Sequence, residues 1–282
     1  MGGADMELNW FESIIYSFIS GLAEFLPVSS KAHQGIMLNL FGGTGETAFL
    51  DFCIHAACLV AVYIHCQSSL AAISRTGKLL SIPPRRRKRQ PDTNLVAELR
   101  FLRTASIPAL LMILLSGMLN STADKLNVLA IGLLINGVVL YVTGHIPIGN
   151  KQPASMNGLE SLLMGIASGF GIFSGVSRIG MGISTGIMRG VSPQNALRLS
   201  LLLSVPVLAG LCVCDVVFMF INGLGGIGFL NIIQCLFSAA FAYGGAILAL
   251  SSLRFIAVKA GISWFSYYCW GLALLSFLLF MI

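Results

Sequence analysis

Ionisable and polar side chains cluster in one short stretch of an otherwise apolar region near the start of the chain. Within ten residues, the segment Glu24-Phe-Leu-Pro-Val-Ser-Ser-Lys-Ala-His33 supplies a carboxylate, two hydroxyls, an ammonium and an imidazole. Such groups can act as base and nucleophile in one reaction, and ionisable residues in apolar segments are functional candidates by default. The alternative is structural: Lys31 and His33 reach an aqueous interface while Glu24 pairs with Arg178.

A second polar stretch, Ser174-Gly-Val-Ser-Arg-Ile-Gly180, has the composition of an anion-binding site. Its glycines let backbone N–H groups approach an anion closely, and Arg178 offers a planar, two-donor fork for phosphate oxygens. Arg198 follows twenty residues later, at the start of an apolar run. It has two interpretations, a second contact to phosphate or an anchor at the cytoplasmic membrane surface.

Three further polar residues interrupt apolar runs. Asp51 and His55 are four residues apart and therefore share one face of a helix; they support the first polar stretch or satisfy each other. Asp215 stands alone among apolar residues, and it is either neutral or paired with a partner that the sequence does not identify.

The elements that must position these residues are membrane helices. The chain of 282 residues is 56% hydrophobic and only 10% charged, whereas a soluble domain carries about 25% charged residues. A membrane-spanning helix needs about 20 apolar residues. Runs that meet this need lie roughly at 48–66, 100–119, 126–144, 197–222, 227–252 and 263–282. Two other apolar stretches, 10–43 and 157–190, are interrupted by Gly, Pro, Ser and charged residues and predict hairpins that do not cross.

The charge pattern predicts the orientation. A proline-flanked basic block, Arg85 to Arg89, lies in a loop at 82–98, and such a loop is typical of the cytoplasmic side. It is also suited to anionic lipid headgroups, so no nucleic-acid partner is predicted. Both termini, including the acidic residues Asp5, Glu7 and Glu12, then lie outside the cytoplasm, and each interrupted stretch returns to the side from which it enters.

The two interrupted stretches resemble each other. Residues 21–30 align with residues 169–178 at an offset of 148, with matching Gly, Phe, Val and Ser and a helix breaker at one shared position. We interpret the chain as one membrane domain, 1–282, with repeats at about 10–144 and 157–282. Broken helices in inverted repeats mark a ligand site at the repeat interface, and non-helical backbone at that depth must line a polar cavity or be buried in protein. The predicted fold is an all-α polytopic membrane protein with six transmembrane helices and two re-entrant helical hairpins in an inverted repeat.

The first polar motif, Glu24-Phe-Leu-Pro-Val-Ser-Ser30 followed by His33, resembles the first signature of the undecaprenyl-diphosphate phosphatases, the bacitracin-resistance family. Gly175-Val-Ser-Arg178, together with the later segment that starts at Arg198, resembles the second. The resemblance covers nearly the whole chain and implies the same six spans and two inverted hairpins.

The sequence departs from the family pattern at four positions. Ser20 stands where the family has an acidic residue or Gln, Ser174 replaces a Pro, Ile179 replaces a Ser and Gly182 replaces a Thr. The residues that remain are Glu24, Ser30, His33, Ser177, Arg178 and Arg198.

The resemblance implies a hydrolase of the bacterial inner membrane that converts undecaprenyl diphosphate to the monophosphate carrier lipid used in cell-wall synthesis. Ser30 or His33 is then the nucleophile, or His33 activates Ser30 or water. Glu24 serves as base or as ligand for a divalent cation, Mg or Ca, and Arg178 stabilises the transferred phosphoryl group. The implied phosphate-binding residues are Ser29, Gly175, Ser177, Arg178 and Arg198.

An alternative interpretation keeps the ligand but not the chemistry. Inverted repeats suit alternating access, and Ser20 removes an acid, so the chain is alternatively a non-catalytic transporter of polyprenyl phosphate. The predicted partners are the polyprenyl lipid, membrane lipids and a second copy of the chain in a homodimer.

Overall fold

The structure is a computed structural model and describes residues 8–43, 47–116, 125–222, 229–256 and 259–281. Its helices are α1 (Trp10–Phe25), α2 (Ser30–Phe41), α3 (Ala48–Leu80), α4 (Thr93–Ser116), α5 (Leu126–His145), α6 (Gly158–Gly169), α7 (Arg178–Met188), α8 (Pro193–Asn222), α9 (Phe229–Ile256) and α10 (Lys259–Met281). Across these described ranges the backbone forms no strand beyond one isolated bridge between Lys151 and Val191. The predicted all-α class is therefore confirmed.

Five of the described helices, α3, α5, α8, α9 and α10, are long and apolar enough to cross a membrane. This confirms the multi-pass membrane class. The helix α4 corresponds to the predicted run 100–119, of which residues 117–119 lie outside the described residues. Asp5, Glu7 and most of the predicted connections 120–125 and 222–227 also lie outside the described residues.

The helix α3 is longer than the apolar run 48–66 that predicted it. It has 33 residues, which makes it roughly 50 Å long, against about 30 Å for the hydrocarbon core of a bilayer. Nothing in the sequence breaks the helix until Pro83, just after its end at Leu80, so it continues past the apolar run.

Each interrupted stretch forms a helical hairpin, α1–α2 and α6–α7. In the first, Leu26 is extended (ψ 153°), as the residue before Pro27 prefers, and α1 ends there. In the second, Gly175 has φ +91°, where a side chain is strained. A Cβ atom at Gly175 would also lie 2.5 Å from the Leu129 carbonyl oxygen and 2.6 Å from the Leu133 nitrogen. The second turn therefore packs directly on the backbone of α5.

The two hairpins share helix caps at the offset of 148 residues. Asn9 and Glu12 form a capping box at the start of α1, and Asn157 and Glu160 form the same box at the start of α6. In both, the Asn side chain accepts from the Glu backbone N–H, and the Glu side chain accepts from the Asn backbone N–H. The two hairpins therefore begin with the same capping structure at positions related by the sequence repeat.

The helix partners of the two hairpins are also equivalent. The helix α1 packs on α9, and α6 packs on α4. Each contact uses a glycine that brings the backbones together: a Cβ at Gly21 would lie 2.1 Å from the Ala242 carbonyl oxygen, and one at Gly165 would lie 2.3 Å from that of Ala105. The hairpin tips meet beside α5.

Candidate active site

A carboxylate, a hydroxyl and a guanidinium meet where the two hairpins touch. Glu24 lies at the end of α1, Ser30 is the first residue of α2, and Arg178 is the first residue of α7. The Ser30 hydroxyl donates to Glu24 Oε2 at 2.5 Å, and the Arg178 guanidinium donates to Glu24 Oε1. The structure thus brings together three predicted site residues from both halves of the chain.

Arg178 keeps an unused donor at this contact. Its side chain is 13% exposed, and its Nε is buried without a hydrogen-bond partner among the described residues. A buried N–H without a partner is costly. An anion oxygen in the adjoining cavity would satisfy it, because the guanidinium presents several donors in one plane.

A narrow cavity adjoins the cluster. Its polar lining consists of Glu24, Ser29, Ser30, Lys31, His55, Ser168, Ser177 and Arg178. Its free volume is about 30 Å³, which is room for roughly one water molecule. On one side, the Lys31 ammonium donates to the Ile172 carbonyl at 3.1 Å and so joins the two hairpins a second time.

Asn136 of α5 holds both hairpin turns. Its amide oxygen accepts from the Ser177 backbone N–H at 3.0 Å, and its amide nitrogen donates to the Pro27 carbonyl at 3.0 Å. The Ser177 hydroxyl donates to the Leu26 carbonyl at 3.1 Å. Both contacts are buried, and buried backbone groups need such partners. Our sequence interpretation missed Asn136; its only signal was a lone amide in an apolar run.

Ser29 has a strained backbone at the start of α2. Its φ of 66° and ψ of 104° are unusual for a residue with a side chain, at a cost of about 1–3 kcal/mol. Its hydroxyl caps α2 by accepting from the Ala32 N–H at 3.4 Å. The strain turns the Ser29 carbonyl toward His33, whose Nδ1 lies 2.7 Å away.

His33 is engaged through both ring nitrogens. Because the Ser29 carbonyl can only accept, Nδ1 carries the proton, and Nε2 accepts from the Tyr268 hydroxyl at 2.7 Å. The two rings are stacked, with centroids 5.8 Å apart. His33 is buried and does not belong to the cavity lining found in the described chain. The structure places it as a link between α2 and α10.

Two other predicted phosphate ligands lie apart from the cluster. Arg198 pairs with Glu98 at 3.2 Å and is 47% exposed, so it joins α8 to α4 instead of entering the cavity. Gly175 is in close contact with α5. Ser29 and Ser177 do line the cavity, and Ser177 also caps α7 by accepting from the Gly180 N–H at 3.1 Å.

Asp51 and His55 do not satisfy each other. Asp51 accepts from the Tyr16 hydroxyl at 3.0 Å and from the Thr47 hydroxyl at 2.8 Å, and it thereby ties α3 to the first hairpin. His55 Nδ1 instead lies 2.7 Å from an oxygen of Asp215 on α8. The partner of Asp215, which the sequence did not identify, is therefore His55. His55 also lines the cavity, and our sequence interpretation did not assign it to the site.

The donors that line the cavity in the described part of the chain do not fit a resident divalent cation. Among the described residues there is no group of three or more His, Cys, Asp and Glu side chains that could hold one. Glu24 is the single carboxylate of the cavity lining in the described chain, and both its oxygens are already bonded. A guanidinium beside it would also repel a cation.

The fold and this cluster define a helical multi-pass membrane protein with a buried carboxylate–hydroxyl–guanidinium site. Residues 13–275 match the family model described as bacitracin resistance protein BacA. The chain belongs to this family, as its motifs predicted.

Similar proteins match over nearly their full length. The undecaprenyl-diphosphatase of Desulforapulum autotrophicum is 29% identical over 279 residues, covering 96% of this chain and 98% of the relative. That of Methanobrevibacter smithii is 29% identical with the same coverage. Undecaprenyl-diphosphatase 3 of Bacillus cereus is 28% identical over 274 residues, covering 96% and 98%.

Proposed function

We propose that this protein is an undecaprenyl-diphosphate phosphatase, which hydrolyses the lipid diphosphate to the monophosphate and inorganic phosphate. The observation that carries the proposal is the 2.5 Å hydrogen bond from Ser30 to Glu24 beside the Arg178 guanidinium. A nucleophile, its base and a charge-stabilising cation are thus in one cavity. The relatives named undecaprenyl-diphosphatase support the choice of substrate.

Ser30 is the nucleophile in this mechanism. Its Oγ attacks the terminal phosphorus while its proton moves to Glu24, along the hydrogen bond already present. The bond from phosphorus to the bridging oxygen breaks, and the electron pair leaves with the lipid monophosphate. The intermediate is phosphoserine at position 30.

Arg178 binds the headgroup and stabilises the transferred phosphoryl group. Its unsatisfied Nε and its Nη2 supply two donors, which match two phosphate oxygens. The diphosphate takes the place of Glu24 on the guanidinium. Glu24 is thereby released to act as the base. The N-termini of α2 and α7, which begin at Ser30 and Arg178, add favourable partial charge.

His33 and Arg198 have supporting roles in this proposal. His33 holds the strained start of α2 through Ser29 and Tyr268, and so fixes the direction of the Ser30 hydroxyl. Arg198 anchors α8 to α4 near the cytoplasmic surface. A divalent cation that assists the reaction would enter with the diphosphate, because phosphate oxygens supply ligands beyond those that the described cavity residues offer.

We further propose the six-span topology with two re-entrant hairpins for the whole chain, in the bacterial inner membrane. Among the described residues, three long helices, α3, α4 and α5, separate the hairpins, and three crossings would make the second hairpin enter from the opposite side. The basic loop Arg85 to Arg89 is then cytoplasmic and both termini are extracytoplasmic. Labelling of single cysteines at this loop from the periplasmic side would overturn the topology.

The deciding experiment measures phosphate release from undecaprenyl diphosphate by the purified protein in detergent, with and without a chelator. The wild type should release phosphate, and Glu24→Ala should not. If the wild type binds the monophosphate lipid but releases no phosphate, the phosphatase proposal is wrong and the lipid carrier is the better interpretation.

A further inference from the structure

One histidine of the cavity lining is paired with a carboxylate from a distant helix. His55 belongs to α3 and Asp215 to α8, 160 residues apart, and Nδ1 lies 2.7 Å from Oδ2. The imidazole lines the cavity together with Glu24, Ser30 and Arg178. The two side chains are only 16% and 21% exposed, so the pair is partly shielded from solvent.

The partner of Nδ1 fixes which ring nitrogen can react. The Asp215 carboxylate accepts the Nδ1–H hydrogen bond, so the neutral imidazole carries its proton on Nδ1 and a lone pair on Nε2. A carboxylate behind the ring also stabilises the imidazolium that forms when Nε2 takes a proton. His55 therefore has the arrangement of a general base, with its reactive nitrogen free of the Asp215 contact.

We propose that His55 is the catalytic base for the hydrolytic water and that Asp215 is its positioning residue; this rests on the proposed phosphatase function. Water attacks the phosphorus of phosphorylated Ser30, and its proton moves to His55 Nε2. The bond from phosphorus to Oγ breaks, its electron pair returns to Oγ, and Oγ recovers its proton from Glu24. The imidazolium then gives its proton to the departing inorganic phosphate.

The other candidate bases at the site are already in use. Glu24 carries the proton of Ser30 after the first step, so it cannot accept a second one from water. His33 has Nδ1 on the Ser29 carbonyl and Nε2 on Tyr268. The charged groups that act on His55 are Asp215 on α8, Asp51 on its own helix and Lys31 of the first hairpin, with Glu24 and Arg178 across the cavity.

The test is rapid-quench kinetics with His55→Gln and Asp215→Asn. Steady-state phosphate release should fall by about 10²- to 10⁴-fold in His55→Gln. Its first turnover should still yield one lipid monophosphate per protein, because the first step uses Ser30 and Glu24. Phosphoserine at position 30 should then accumulate.

The decay of this intermediate should quicken with rising pH in the wild type, as His55 loses its proton, and should not depend on pH in His55→Gln. The burst itself shows that the variant is folded.

Asp51→Asn is the matched control, because Asp51 lies one turn before His55 on α3 and contacts Tyr16 and Thr47 instead. It removes one of the charges that act on His55 but leaves the imidazole in place, so its intermediate should still decay faster with rising pH, unlike that of His55→Gln. Asp215→Asn combined with His55→Gln should be no slower than His55→Gln alone. A His55→Gln variant with normal phosphate release would overturn the proposal, and so would simultaneous slow appearance of both products. A wild type without phosphate release would instead be a failure of the proposed function.

Discussion

The two hairpins have one framework and opposite chemistry. Both begin with an Asn–Glu capping box, both pack through a glycine on a neighbouring long helix, and both restart a helix at a capping serine. At the position after that serine the first hairpin has the Ser30 hydroxyl and the second has the Arg178 guanidinium. In the proposed mechanism the first hairpin therefore carries the nucleophile and base, and the second carries the cation.

This difference shows how a repeated scaffold can make an asymmetric site. Glu24 has no acidic counterpart in the second hairpin, where Ile172 stands at the equivalent position. A second carboxylate there would compete for Arg178 and repel a diphosphate. The caps that set the geometry are duplicated, while the reactive groups are divided between the halves.

The sharpest test of this division is Glu24→Gln. Phosphate release should fall by about 10³-fold or more, because Gln cannot accept the Ser30 proton, and general-base groups contribute about 10²- to 10⁴-fold. Glu12→Gln, at the exposed start of the same helix, is the control and should remain active. If Glu24→Gln were as active as the wild type, Glu24 would not be the base.

The corresponding test of the second hairpin is Arg178→Lys. Lys keeps the charge but loses the planar fork, so kcat/KM should fall by about 10²- to 10³-fold, as for loss of other charge-stabilising donors. Arg198→Lys is the control, because Arg198 pairs with Glu98 outside the cavity. If Arg198→Lys were the more damaging change, the headgroup would lie nearer α4 and α8 than we propose.

A third test removes the hydrogen bonds that join the two hairpin turns to α5. Asn136→Leu leaves the Ser177 N–H without its partner and the Pro27 carbonyl with only the Cys269 thiol at 3.8 Å, and it should lower the free energy of unfolding by about 2 kcal/mol. Thermal unfolding in detergent measures this. Asn127→Leu, at the start of the same helix, is the comparison and should have a smaller effect.

The smallest effect is expected at the duplicated caps. Asn9→Ala and Asn157→Ala should each cost about 1 kcal/mol of stability, without changing the pH dependence of phosphate release. Similar losses at both positions would support the equivalence of the hairpins. A loss of stability at only one position would show that the two hairpins are alike in sequence but not in the stability that their caps provide.

The polar residues that meet at the hairpin tips could be predicted because charged and hydroxyl residues are rare in apolar stretches. Glu24, Ser30 and Arg178 stand out for that reason, and the helix breakers Pro27 and Gly175 indicate where the turns lie. The capping boxes were visible in the sequence as Asn-x-x-Glu at the same offset, but their first residues precede the segment that we aligned.

Contacts between distant spans could not be predicted in this way. His55 and Asp215 are far apart in sequence, and each fits an isolated explanation until α3 and α8 are placed side by side. The ion pair of Arg198 with Glu98 is of the same kind. A single sequence gives the spacing within a helix but not the rotation of one helix against another.

The size of the cavity has a consequence for affinity. With about 30 Å³ free, this arrangement of the side chains has no room for a diphosphate, so the lining must rearrange when the headgroup binds. The free energy of that rearrangement weakens the apparent affinity, and the bond between Glu24 and Arg178 is one contact that the headgroup must break. The inactive Glu24→Gln variant should therefore hold undecaprenyl diphosphate more tightly than the wild type, and it would serve as a substrate trap for capturing the complex.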